Sequence, residues 1–154
     1  MTRRLASLAL VVLVVLVGGA AACGAPGTES GFATRPEAGT AVPAWVPASA
    51  TELRILTEGE GGAYWLRFRA PASERPALEA ELLRIPDGQV ATLTFRAPKG
   101  ADWWFRGLVQ VVPARETSVV AADVFSGAGR AVPQRTFVAF DRASDTVYAW
   151  AAGR

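Results

Sequence analysis

Few side chains in this sequence could do chemistry, and each suggests a different reaction. None of the 154 residues is histidine, which removes Ser-His-Asp and Cys-His nucleophilic catalysis and histidine-bound zinc. The single cysteine, Cys23, follows Ala20-Ala21-Ala22 at the end of an apolar run, and it has no second cysteine in the sequence to pair with. Carboxylates are the remaining acid–base candidates. Glu58 and Glu60 sit on a glycine-rich turn, Asp102 precedes Trp103 and Trp104, and Asp141 and Asp145 flank a later turn. Two of Glu58, Glu60, Asp102 and Asp141 converging within about 5 to 10 Å in a cleft would serve a hydrolase. Calcium at Glu58 and Glu60 would need an EF-hand ligand spacing that is absent, and turn capping accounts for Asp141 and Asp145. Ser126-Gly127-Ala128-Gly129 lacks the Lys-Ser/Thr of a phosphate loop and leads to Pro133 rather than a helix, so it reads as a loop.

The tryptophans suggest binding instead. Adjacent residues of an extended segment point to opposite faces, so in such a segment one of Trp103 and Trp104 would enter the core while the other meets solvent or a partner; the alternative is that both pack, one under the helix and one under a loop. An exposed indole could stack on a sugar or a peptide side chain, with Lys99, Asp102 and Arg106 as a polar rim. Trp65, beside Arg67 and Arg69, is a second candidate for the same role. No metal-ligand cluster or cofactor motif accompanies them.

Residues 1–22 have the layout of an export signal. Arg3 and Arg4 form a positive start, Leu5 to Val17 an apolar stretch, and Gly18 to Ala22 a small-residue approach to a cleavage point. Ala20-Ala21-Ala22-Cys23 resembles the bacterial lipobox, in which the cysteine receives a diacylglyceryl group, is fatty-acylated with chains such as palmitate, and becomes the new N-terminus. Ala20 stands where that motif usually has leucine, and Ala20 with Ala22 also satisfies an ordinary A-x-A signal site. The lack of any other cysteine favours the lipid anchor, because an exported domain stapled by disulfides would carry several. The expected location is the outer face of the cell membrane.

Loss of Arg3 and Arg4 with the signal turns 16 basic against 14 acidic side chains into an even balance. The cations are spread along the chain, so no patch for nucleic acid is expected. Residues 23–41 are rich in Gly, Pro, Thr, Ser and Glu with Phe32 as their only large apolar residue. Such a composition predicts a flexible tether, and residues 42–154 form one domain of ordinary size.

Within that domain, alternation predicts strands over Thr51 to Thr57 and Ala63 to Ala70, joined by a hairpin turn whose glycines permit positive φ. Pro71 ends the second strand, Ser73 is placed to cap a helix, and Leu78, Leu82 and Ile85 at i, i+4 and i+7 form its apolar stripe until Pro86-Asp87-Gly88. Val90 to Phe95, Gly107 to Val112 and Ser118 to Phe125 read as further strands, and Arg135 to Asp141 with Thr146 to Ala151 as a terminal hairpin. The expected fold class is α+β: two layers, an antiparallel sheet with one main helix packed on one face.

Pro43-Ala44-Trp45-Val46-Pro47, Trp65-Leu66-Arg67-Phe68, Trp103-Trp104 and Val147-Tyr148-Ala149-Trp150 together resemble small uncharacterised secreted lipoproteins of actinobacteria. That resemblance implies no activity. The leading expectation is therefore a membrane-anchored envelope protein that binds another envelope protein, a peptide or a glycan without a cofactor. The alternative is a carboxylate-dependent hydrolase of cell-wall material.

Overall fold

The computed structural model describes residues 27–59, 62–90, 98–105, 109–112 and 117–151. Chain order runs β1 (Thr28–Thr34), α1 (Arg35–Ala38), β2 (Thr51–Glu58), β3 (Ala63–Arg69), α2 (Arg75–Glu79), β4 (Leu82–Arg84), α3 (Asp87–Val90), β5 (Val109–Val112), β6 (Thr117–Val120), β7 (Ala122–Gly127), β8 (Thr136–Asp141) and β9 (Thr146–Ala151), with 3₁₀ turns at Gly39–Ala41 and Ala72–Glu74. Seven strands make one antiparallel sheet in the order β1-β2-β3-β9-β8-β7-β4, while β5 and β6 pair separately. Among the described residues no helix is long and apolar enough to cross a membrane.

Both faces of the sheet are covered, so the strands bury side chains in both directions. On one face Leu53, Ile55, Leu66, Phe68, Val138, Phe140, Val147 and Ala149 pack under Ala38, Val42, Val46 and Ala50 from the segment after β1, and under Leu78 of α2. Trp45 closes this layer edge-on to Phe68 at 6.1 Å. The opposite face carries Leu56, Trp65, Val124, Ala139, Tyr148 and Trp150, with Val90 and the segment 98–105 laid over them. The alternation expected for the two hairpins is therefore present, and Gly59 and Gly62 hold the positive φ values, 53° and 72°, that the first turn requires.

Several expectations need correction. The described residues are β-rich rather than α+β with one main helix: the longest helix among them, α2, has five residues, against strands of up to eight. The apolar stripe of Leu78, Leu82 and Ile85 is divided between elements, because Leu82–Arg84 pairs with Gly127–Phe125 of β7 and the Ile85 N–H donates to the Val124 carbonyl at 2.9 Å. Pairing with an open sheet edge outweighs local helical periodicity. Ser73 lies in a 3₁₀ turn rather than at a cap.

The stretch expected as a tether is also different in its second part. Thr28–Thr34 pairs with β2 from Thr28↔Thr57 to Thr34↔Thr51 as the edge strand, and Ala38 belongs to the core. Its outer edge is partly blunted, since the Ala33 N–H donates to the Glu37 carboxylate at 2.9 Å. Of the expected strand Val90 to Phe95, Val90 closes α3 and the remainder lies outside the described residues. The stretch Ser118 to Phe125 is divided between β6 and β7.

Candidate functional site

Strand register brings the aromatic residues together. Trp65 on β3 stands opposite Trp150 on β9, and Trp150 stands opposite Phe137 on β8. All three therefore project from one face, with Tyr148 two residues along β9 on the same side. The Phe137 and Trp150 rings stack at 5.4 Å with 14° between planes. Over them the segment 98–105 turns and drops Trp104 edge-on against Tyr148 at 5.5 Å and Trp150 at 5.9 Å, while Phe105 lies 5.1 Å from Tyr148. Trp103 meets Trp104 edge-on at 6.0 Å and donates its indole N–H to the Glu29 carboxylate on β1 at 2.8 Å. Edge-to-face and offset geometries of this kind suit the ring quadrupoles.

Of the two arrangements expected for the tryptophan pair, the one in which both rings pack is the nearer. Trp103 and Trp104 lie in a turn, not an extended segment, so both reach the same face and both are half-buried. Trp65 is 4% exposed and supports the cluster from beneath instead of offering a platform. Trp103, Trp104, Phe105 and Phe137 form the accessible rim. Phe105 and Phe137 were not singled out as candidates in the sequence, although the alternation of β8 and β9 already puts Phe137, Tyr148 and Trp150 on one face.

Beside the aromatic rim the face turns polar. Arg54 pairs with Glu29 at 3.4 Å, and Arg67 stands opposite both Arg54 and Tyr148. Burial pushes the Tyr148 phenol above its ordinary pKa, against the opposing pull of Arg67, so the ring keeps its proton at neutral pH. An open hollow of about 590 Å³ runs along Glu29 to Phe32, Glu52 to Arg54 and Arg67.

Of the other candidate carboxylates, Asp141 is arranged for structure. Asp141 accepts from the Ala143 N–H at 2.9 Å and the Ser144 hydroxyl at 2.8 Å, holding its own turn. Asp102 is exposed beside Trp103, Asp145 is exposed in the β8–β9 turn, Glu58 ends β2, and Glu60 lies outside the described residues. Among the described residues no cluster of three or more potential metal ligands occurs. Cys23, the expected acylation site, and Arg106, from the expected polar rim, are likewise outside the described residues.

A feature invisible in the sequence is an ion cluster at the opposite end of the sheet. Asp123 on β7, with its side chain 15% exposed, receives Arg75 at 2.6 Å, Arg84 at 3.2 Å and Arg142 at 2.8 Å. Arg75 also binds Glu79 at 2.6 Å and Arg142 binds Asp87 at 3.0 Å, so three guanidinium groups meet three carboxylates. Burial alone would raise the Asp123 pKa, but hydrogen bonds from Arg75 and Arg142 outweigh it and leave it below the ordinary aspartate value. The adjoining cleft, about 300 Å³ between α2 and the β8–β9 turn, has Arg75 on its wall with the guanidinium 4.9 Å from the Phe140 ring centre. Because these charges neutralise one another, the cluster is a clamp joining α2, β4, α3 and the β8–β9 turn to β7.

No family model, no curated protein and no solved structure matches this chain.

Proposed function

We propose that this chain is an envelope lipoprotein, held through Cys23 to the outer face of the membrane, whose domain is a binding module working through the aromatic rim of Trp103, Trp104, Phe105 and Phe137. One observation carries this reading: the half-buried rings of Trp103, Trp104, Phe105 and Phe137 are gathered on one face, beside a polar hollow with Arg54 and Arg67, whereas the opposite face is covered by residues 38–50 and α2. Accessible aromatic clusters with a charged border are the usual composition of contact surfaces, where Trp and Arg are enriched. The resemblance to secreted actinobacterial lipoproteins and the lipobox-like Ala20 to Cys23 support the location. The hydrolase alternative gains nothing from the described geometry, because of its four carboxylates Asp141 is engaged in its turn, Asp102 is exposed beside Trp103 and Glu60 lies outside the described residues.

Photo-crosslinking in cells tests the module. A crosslinking amino acid at Trp103 should trap one reproducible envelope component, and the same group at Ala48, an exposed position on the segment that covers the other face, should not. Identical products from both positions would refute a dedicated surface. Partition of the wild type with membranes, lost in Cys23→Ser, tests the anchor separately.

A further inference from the structure

The chain leaving Cys23 arrives at the aromatic cluster itself. Only Gly24, Ala25 and Pro26 separate Cys23 from Gly27, and Gly27 lies against β2 so closely that a Cβ there would stand 2.9 Å from the Thr57 carbonyl oxygen and 3.0 Å from Leu56 Cδ1. Leu56 is a member of the aromatic cluster. Two residues further on, Glu29 accepts the hydrogen bond from the Trp103 indole. Four residues of fully extended chain span roughly 14 Å, so an acyl group on Cys23 holds the bilayer surface within that distance of this end of the cluster.

We propose that the rim formed by Trp103, Trp104 and Phe105 seats in the head-group interface of the same membrane that takes the acyl chains, as a second contact that fixes the orientation of the domain. The inference rests on the lipid-anchor reading above and names the partner of the aromatic rim. Indoles favour this depth because one edge is apolar and the N–H can remain hydrated or hydrogen-bonded. Acyl chains alone hold a protein at the surface without specifying which side faces it, whereas a second contact does. The short link keeps the Thr28 end of the strands, where Trp103 meets Glu29, near the bilayer. Exposed Lys99 in the same segment is suited to the phosphate level.

The test uses the mature chain from Cys23 coupled through its one thiol to a maleimide lipid in phosphatidylcholine vesicles, which bypasses cellular lipidation. Vesicles carry a lipid spin-labelled just below the head group, and quenching of tryptophan fluorescence is measured. The comparison protein carries Cys23→Ser and Ala143→Cys, so that it is attached through the β8–β9 turn at the far end of the strands. Attachment at Cys23 should quench at least twofold more than attachment at position 143. Trp103→Phe with Trp104→Phe, which keeps the rings, should abolish most of that difference, and Trp45→Phe on the other face should leave it unchanged. Equal quenching from both attachment points, or a difference carried by Trp45, would overturn the proposal and return the rim to a protein or glycan partner. Failure of wild-type protein to partition with cell membranes would instead defeat the anchor reading alone.

Discussion

Replacing Trp104 by alanine should cost far more stability than replacing its neighbour Trp103. Trp104 is half-buried and meets Tyr148, Trp150 and Trp103 edge-on at 5.5, 5.9 and 6.0 Å. Removal of roughly 100 Å² of apolar contact at about 25 cal/mol per Å² gives about 2.5 kcal/mol. The ring geometries add about 0.5 to 1.5 kcal/mol per pair, reduced where neighbours relax into the gap. The expected loss is about 4 kcal/mol. Trp103 makes a ring contact with Trp104 and an exposed hydrogen bond to Glu29, which keeps Arg54 as a partner after truncation. Its loss should cost about 1.5 kcal/mol, and the double variant should reveal a coupling of about 1 kcal/mol from the shared ring contact. Urea unfolding of the soluble domain, followed by circular dichroism because the substitutions alter fluorescence, measures all three. A Trp104→Ala loss below about 1 kcal/mol, or one no larger than that of Trp103→Ala, would show that the segment 98–105 is not docked on the sheet as described.

Further expectations concern the scaffold. Asp123→Asn should destabilise by about 2 kcal/mol at pH 7, a value moderated by the solvent exposure of its arginine partners. Because the folded-state pKa of Asp123 is lowered, this contribution is complete above the ordinary aspartate pKa and is lost as pH falls through the lower folded value, so the difference in melting temperature between wild type and variant should shrink on acidification below the ordinary aspartate range. Gly127→Ala should cost about 3 kcal/mol or more by thermal unfolding, since its Cβ would press into the Pro133 carbonyl oxygen. In Gly88→Ala, by contrast, the added Cβ meets nothing within 4 Å in α3, and a gain of about 0.5 to 1 kcal/mol is expected. Glu52 holds φ of 52° at the irregularity in β2; Glu52→Gly should be neutral or slightly stabilising, and Glu52→Val should lose about 1 to 2 kcal/mol.

What could be read from the sequence was what depends on near neighbours. Leu53 with Ile55, Leu66 with Phe68, and the offset alternations of Phe137 to Phe140 and Val147 to Trp150 gave strands and faces correctly, because a period of two is a local property. Leu78, Leu82 and Ile85 misled for the complementary reason. Their spacing fits a helix, but the edge of β7 competes for Leu82–Arg84 and wins. The strand β1 was illegible because Thr28–Thr34 contributes one large side chain, Phe32, and owes its conformation to the free edge of β2. The clamp around Asp123 joins Arg75, Arg84 and Arg142 from separate elements, and no local pattern connects them. Trp103 and Trp104 were found by residue type alone; their common orientation depends on a turn that alternation cannot anticipate.

The placement of aromatic and charged groups along the strands bears on how such a domain could work at a surface. At the Thr34 end, three arginines and three carboxylates are paired with one another and the turn of Asp141 is self-capped. At the Thr28 end the chain enters from Cys23, the aromatic rim lies beside it, and Glu29 links strand to rim through Trp103. A pull entering at Gly27 would therefore act first on β1, the edge strand, and on Trp103, which is bonded to it. Hydrogen bonds of an edge strand open at lower free energy than those of the central strands β3, β9 and β8. Of the rim, Trp103 alone is bonded to that edge strand, whereas Trp104 and Phe105 rest on β9 and Phe137 belongs to β8, and the ion clamp secures the other end of the strands. Loss of the Trp103 to Glu29 hydrogen bond should then be felt as faster hydrogen exchange in β1 with little change in β8, a separation that a uniformly cooperative sheet would not produce.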